Sequence, residues 1–359
     1  MMNRKSIAII AGGAAVALGV AGLILWIYFA PGAEETRASE SVYEQTEMTS
    51  SAKEQEADPT EPSQDLRIIT TLDDFGEEKW DEGIICYKDR YYKYNDNLQN
   101  YLFMGIDNDN IARTAPDGIS GGQSDAMFVL VLDNEKREVS IVAINRNTIV
   151  PVDVYDEEGN FLLQMDLQIC LQHGYGDGMK LSCMRAVEAV DRLLRNIPIT
   201  GYMSLNMGGL PAVNDAIGGI ELTALESIRR GDVSIQQGET LTLNGEQAYA
   251  YLRTREVEEF ASANGRLIRQ EQYIKAFVAK LLKDPALANK IYEAGKDYMV
   301  ASIDLPKLIK SAQDMTFTDD RMYTIEGETE FKDSFERYNV DEEALIDLII
   351  KVFYEETTL

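Results

Sequence analysis

Residues 101–106 read YLFMGI, residues 126–132 AMFVLVL and residues 138–144 EVSIVAI. Each is a short apolar run, rich in β-branched and aromatic side chains and bounded by Gly, Asn and Asp, which is the pattern of a buried strand. A fourth run, YMSLNM at 202–207, has the same character. Between and after these runs, KLSCMRAVEAVDRLLRN (180–196) and GLPAVNDAIG (209–218) place apolar residues at helical spacing, the second stopped by Gly218-Gly219. Strands alternating with helices predict an α/β fold with a central mixed β-sheet covered by helices on both faces.

The chain of 359 residues carries a formal net charge of −27, which excludes nucleic acid as a partner on electrostatic grounds. Ser6 to Ala30 holds no charged residue and follows Arg4 and Lys5. At about 1.5 Å per residue it is long enough for a bilayer core of roughly 30 Å, so residues 1–30 are expected to be a cytoplasmic N-terminus and a single uncleaved transmembrane anchor. The basic pair then predicts that everything beyond Pro31 lies outside the cell membrane. Residues 31–65, built of Glu, Ser, Thr, Pro and Ala, predict a disordered acidic stalk. Residues 66–100 read as a small accessory element, 101–283 as the main domain and 284–359 as a C-terminal extension that closes with the amphipathic stretch DEEALIDLIIKVFY. Cys86, Cys170 and Cys183 imply no disulfide framework and leave a Cys170–Cys183 bridge open.

The chemistry-bearing residues stand at the ends of the apolar runs. Asp107 follows the first strand, Asp125 precedes the second after a Gly-rich loop, and Arg146 follows the third. Ligand sites of α/β sheets form at such strand ends. Two carboxylates together with substrate phosphate oxygens are the usual surroundings of Mg²⁺ or Mn²⁺.

Residues 243–272, LNGEQAYAYLRTREVEEFASANGRLIRQEQ, gather Arg253, Arg255, Arg266 and Arg269 in a chain that is otherwise poor in cations. Asn244 and Gln247 form a capping-box pair, so NGEQAYAY is expected to be a helix running into Arg253-Thr254-Arg255. A second helix is expected near Gly265, with Arg266, Arg269 and Gln270 on one face and Leu267, Ile274, Val278 and Leu281 on the other. Clustered guanidinium forks suit a phosphorylated ligand. The competing reading is a solvated face paired with Glu256, Glu258 and Glu259. His173, the only histidine, is expected to pack or face solvent rather than act as a base.

In this order and spacing the motifs resemble the LytR-CpsA-Psr family of cell-wall glycopolymer transferases. The resemblance rests on Leu102-Phe103-Met104-Gly105-Ile106-Asp107, on Gly122-Gln123-Ser124-Asp125, on Ile144-Asn145-Arg146-Asn147-Thr148, on Ala216-Ile217-Gly218-Gly219-Ile220-Glu221-Leu222, and on Leu243 to Gln270. A looser match joins His173-Gly174-Tyr175-Gly176-Asp177-Gly178 to a Tyr-Gly-Gly segment. It implies a phosphotransferase that moves a glycopolymer from a polyprenyl-pyrophosphate carrier to a peptidoglycan acceptor. It further implies that Arg146, Arg253 and Arg255 act at the reacting phosphate. Arg266, Arg269, Gln270 and Gln123 would hold the pyrophosphate, and Asp107 and Asp125 a Mg²⁺ or Mn²⁺ ion.

Three positions depart from the family pattern: Gln123 stands for an arginine, Asn147 for an aspartate and Gln168 for a lysine. They leave open a binding protein without turnover, and a hydrolase of the lipid pyrophosphate is a further alternative.

Overall fold

The structure is a computed structural model, and it describes residues 66–68, 84–254, 262–332 and 335–358. The expected anchor at 1–30, the stalk at 31–65 and Arg255 lie outside the described residues. Among the described residues no helix is long and apolar enough to cross a membrane.

In chain order the elements are β1 Leu66–Ile68, β2 Ile84–Tyr87, β3 Arg90–Tyr94, β4 Leu98–Ile106, β5 Ser124–Asp133, β6 Glu138–Ile144, β7 Ile149–Tyr155 and β8 Phe161–Gln168. Then come α1 Leu171–Gly174, α2 Lys180–Leu193, β9 Gly201–Asn206, α3 Leu210–Ala216, β10 Ile220–Thr223, β11 Ile228–Arg230, β12 Val233–Ile235 and β13 Thr240–Leu243. The chain continues through α4 Gly245–Arg253, α5 Ser262–Lys283, α6 Leu287–Gly295, β14 Met299–Ala301, α7 Leu305–Ala312 and β15 Met322–Thr324. It closes with β16 Gly327–Lys332, β17 Phe335–Val340, α8 Glu342–Phe353 and β18 Tyr354–Thr357.

The central sheet has six strands in the order β14-β9-β4-β5-β6-β15. It is mixed: β9 runs parallel to β4 and β15 parallel to β6, whereas β5 is antiparallel to both of its neighbours, β4 and β6, and β14 is antiparallel to β9. Period-two alternation gives the sheet two apolar faces. Leu102, Met104, Met127 and Val129 point to one core, shared with Ala186, Ala189 and Val190 of α2 and Leu345, Ile349 and Phe353 of α8. On the opposite face Phe128, Ile141 and Ala143 meet Leu267 of α5, and Tyr101, Leu132 and Val139 meet Leu308 and Ala312 of α7. Helices therefore cover both faces, as the alternating pattern predicts.

The C-terminal residues are woven into this architecture. β14 and β15 form the two edges of the central sheet, and β18 pairs with β3 in a four-stranded sheet ordered β1-β2-β3-β18. A second core, centred on Val213, Ile217, Tyr251, Tyr273 and Leu281, joins α3, α4, α5 and α6.

Candidate functional site

Asp107 and Asp125 converge because the β4–β5 ladder is irregular at its end. Gly105 pairs with Ala126 but Ile106 pairs with Ser124, so Asp125 is the extra residue of a bulge, a device that re-aims a side chain. The Asp107 amide donates to the Gln123 carbonyl at 2.9 Å, which ties the two loops together. Gly122 turns the chain at φ +84°, where a Cβ would stand 2.8 Å from the Ile106 side chain. Only glycine fits that position without strain.

Arg146, two residues past the end of β6 with only Asn145 between, reaches across this loop. Its guanidinium pairs with the Asp125 carboxylate, donates to Gln123 Oε1 at 2.5 Å and to Cys170 Sγ at 3.1 Å. Arg266 of α5 donates to the other Asp125 oxygen at 2.9 Å. Burial works against the charge on Arg146, and the Asp125 and Asp107 carboxylates, with the hydrogen bond to Cys170, more than offset it. Burial also pushes the Cys170 thiol up, with Arg146 opposing. The thiol is therefore a neutral neighbour of the arginine. All three cysteines are free, so no Cys170–Cys183 bridge forms.

Arg253 ends α4, whose start carries the expected capping box: Asn244 Oδ1 accepts from the Gln247 amide at 2.9 Å, and Gln247 Oε1 accepts from the Asn244 amide at 3.0 Å. The Arg253 guanidinium pairs with Asp107 and lies 2.5 Å from Asp109. Tyr249, one turn earlier on the same helix, donates to Asp109 at 2.7 Å. Tyr249 packs against the second core as well, and neither it nor Asp109 stands out as a site residue in the sequence. The signals were a second aspartate two residues past Asp107 and an i, i+4 tyrosine–arginine pair.

Arg269 and Gln270 do something other than wait for a ligand. Arg269 donates to the carbonyls of Tyr251 and Thr254, Gln270 donates to that of Leu252 at 3.4 Å, and Arg269 also pairs with Glu226. These carbonyls end α4, where the last turn of a helix lacks intrahelical donors. The arginine face of α5 is thus packed: Arg266, Arg269 and Gln270 are all buried, and it is Ile268 that faces solvent. Helix α5 starts at Ser262, three residues ahead of the expected Gly265.

Among the described residues, three guanidinium groups (Arg146, Arg253, Arg266) and three carboxylates (Asp107, Asp109, Asp125) meet at one end of the sheet. Their charges cancel. A bound pyrophosphate diester, with about two negative charges, would be left uncompensated unless a divalent cation came with it. Asp107 and Asp125 are oxygen donors of the kind such an ion takes, both paired with arginines here, and no group of three or more His, Cys, Asp or Glu suited to a metal occurs among the described residues. That donor set fits an ion completing its shell on phosphate oxygens.

The LytR_cpsA_psr family pattern matches residues 41–350. The chain belongs to this family. Over 249 residues the LytR_cpsA_psr chain is 28% identical to the polyisoprenyl-teichoic acid–peptidoglycan teichoic acid transferase TagU of Enterococcus faecalis, covering 68% of this chain and 75% of the relative. It is 26% identical over 242 residues to Biofilm regulatory protein A of Streptococcus mutans, covering 63% of this chain and 56% of that one. Its fold matches the crystal structure of TagV from B. subtilis with a TM-score of 0.57 at 23% identity, over 72% of this chain and 96% of that one.

His173 is buried, with Nδ1 donating to the Gly122 carbonyl at 2.9 Å and Nε2 3.7 Å from Cys183 Sγ. It packs beneath the Gly-rich loop and supplies no solvent-facing base. Burial, partly opposed by backbone hydrogen bonds at Gly122 and Gly121, moves its pKa from the ordinary 6.5 down to about 4. Between these values the unfolded chain binds the proton and the folded chain does not, so stability present above pH 6.5 is lost as pH falls toward 4. The loss is on the order of 3 kcal/mol. Thermal melts of wild type and His173→Gln between pH 7.5 and 5 should show the steeper fall in wild type. Parallel curves would contradict the buried neutral imidazole.

Proposed function

We propose that this protein is a membrane-anchored, extracytoplasmic phosphotransferase of a Gram-positive-type envelope, moving a glycopolymer from a polyprenyl-pyrophosphate carrier to peptidoglycan through a phosphodiester bond. The observation that carries this reading is the meeting of Arg146, Arg253 and Arg266 with Asp107 and Asp125. These residues come from four separate stretches of the chain and converge at one strand-end site. The transferase name of the E. faecalis relative supports the same reaction class. In the proposed step an acceptor hydroxyl oxygen attacks the phosphorus that bears the glycan. The pyrophosphate P–O bond breaks, polyprenyl phosphate leaves, and the hydroxyl proton passes to solvent.

Each arginine then has a role that its position allows. Arg146 and Arg266, both turned toward Asp125, would release it in part to grip oxygens of the reacting phosphate, where charge grows in the transition state. Arg253, nearer solvent, would neutralise the departing phosphate. A Mg²⁺ or Mn²⁺ ion held by Asp107 and Asp125 would supply the missing positive charge. Arg269 and Gln270 would act from behind, by fixing the end of α4 that carries Arg253.

Binding without turnover remains the second reading. It is favoured by Gln123, which adds no charge and whose oxygen accepts from Arg146. Lipid extraction of the full chain purified from a Gram-positive host should yield a polyprenyl phosphate or pyrophosphate, in amounts that fall in an Arg253→Ala/Arg266→Ala variant. An equal lipid content in wild type and variant would count against the site.

A further inference from the structure

The residues flanking Arg146 are held by a segment that has no part in the proposed chemistry. Asn145 and Asn147 are buried, and each spends its amide on a different anchor. Asn145 Nδ2 donates to Asn264 Oδ1 at 2.7 Å, and Asn264 Nδ2 donates to Thr329 Oγ1 of β16 at 3.0 Å. Asn147 Nδ2 donates to Glu336 Oε2 of β17 at 3.0 Å, while Asn147 Oδ1 accepts from Gln168 Nε2 at 2.9 Å. Gln168 also donates to the Glu336 carbonyl at 2.6 Å, and the Tyr338 amide donates to the Asn147 carbonyl at 2.9 Å. The β16–β17 hairpin therefore touches both the Asn145–Thr148 turn, which carries Arg146, and the first turns of α5, which carry Arg266 two residues after Asn264.

We propose that the β16–β17 hairpin is a positioning element of the site, in which Glu336 acting through Asn147, and Thr329 acting through Asn264, set the separation of Arg146 and Arg266 across Asp125. This rests on the phosphotransferase reading and deepens it. A phosphate grip by two guanidinium groups depends on their spacing, and misplacement by about 1 Å costs up to roughly 10²-fold in rate. The same network explains two departures from the family pattern as one coupled feature. Positions 147 and 168 touch each other, and both are amides here. An amide at 147 gives to Glu336 and accepts from Gln168, whereas a carboxylate there would only accept and would face Glu336 as a like charge. Asn147 makes its side-chain bonds to Glu336 and Gln168 and not to Arg146, so its influence on that arginine runs through the turn.

The test uses the full chain, a synthetic polyprenyl-pyrophosphate-linked disaccharide as donor and peptidoglycan sacculi as acceptor. Glu336→Ala should lower kcat about ten-fold or more, with a smaller rise of about three-fold in KM for the donor. Glu336→Gln, which keeps an acceptor for Asn147, should recover most of the rate. Asn147→Asp should be impaired, and adding Glu336→Gln to it should restore activity, because the new amide donates to the new carboxylate. Wild-type kcat in Glu336→Ala, a Glu336→Gln variant as slow as the alanine, or no rescue of Asn147→Asp would each overturn the proposal. If Glu336→Ala does not fold, Thr329→Val against Thr329→Ser makes the same comparison at the other anchor, and equal rates there would overturn it. Binding of inorganic pyrophosphate separates the two readings. Absence of transfer by wild type, with pyrophosphate binding weakened in Glu336→Ala, would sink the phosphotransferase and support the positioning role.

Discussion

Replacing Asp125 by alanine is expected to lower the melting temperature by about 5 °C, corresponding to about 3 kcal/mol in a folded unit of this size. Asp125 is the one carboxylate that both Arg146 and Arg266 grip, and the side chains of all three are largely shielded from water. Removing it takes away the carboxylate that these two buried guanidinium groups share and brings their like charges face to face, which costs more than the loss of the bonds themselves. The alanine variant should therefore recover part of the loss when inorganic pyrophosphate is added, because the anion takes the place of the carboxylate. Differential scanning calorimetry with and without pyrophosphate checks both statements. A melting temperature within about 1 °C of wild type would mean that these pairs are ordinary solvated contacts.

Replacing Arg146 by alanine is expected to reduce transfer about 10²-fold or more, with a smaller effect on donor affinity. Its guanidinium joins Asp125, Gln123 and Cys170, so its loss removes the charge that the transition state needs and uncouples the Gly-rich loop from the end of β6. Lysine should recover only part of the rate, since a single ammonium cannot serve Asp125 and Gln123 in the planar two-pronged way that a guanidinium does. Retention of more than about a third of the wild-type rate by the alanine variant would take Arg146 out of the reaction.

The sheet was legible because its three long strands alternate faces without interruption. Tyr101 and Leu102, or Met127 and Phe128, fall on opposite sides, and both sides are apolar. The capping box at Asn244 was legible for a similar reason, since its signal is local. The edge strands β14 and β15 are three residues each, too short to carry a period, so their pairing with β9 and β6 was not legible. The convergence of Asp107, Asp125 and Arg146 followed from their places at strand ends. The division of labour among the arginines did not, because a guanidinium fork suits helix-end carbonyls as well as it suits phosphate, and only the packing of α5 against α4 assigns Arg269 to the former. Asn147 is bonded to Glu336, 189 residues away, a pairing that no local pattern encodes.

The most direct measurement follows the phosphate that bears the glycan. Full-length protein in detergent or vesicles, given Mg²⁺, peptidoglycan sacculi and donor labelled at that phosphorus, should deposit label on the sacculi in a phosphodiester, from which mild acid cleaves the anomeric C–O bond to release the glycan and leaves the labelled phosphate on the sacculi. Label in free phosphorylated glycan would identify water as the acceptor and make the protein a hydrolase. Label that stays on the lipid, with the donor bound, would contradict turnover altogether.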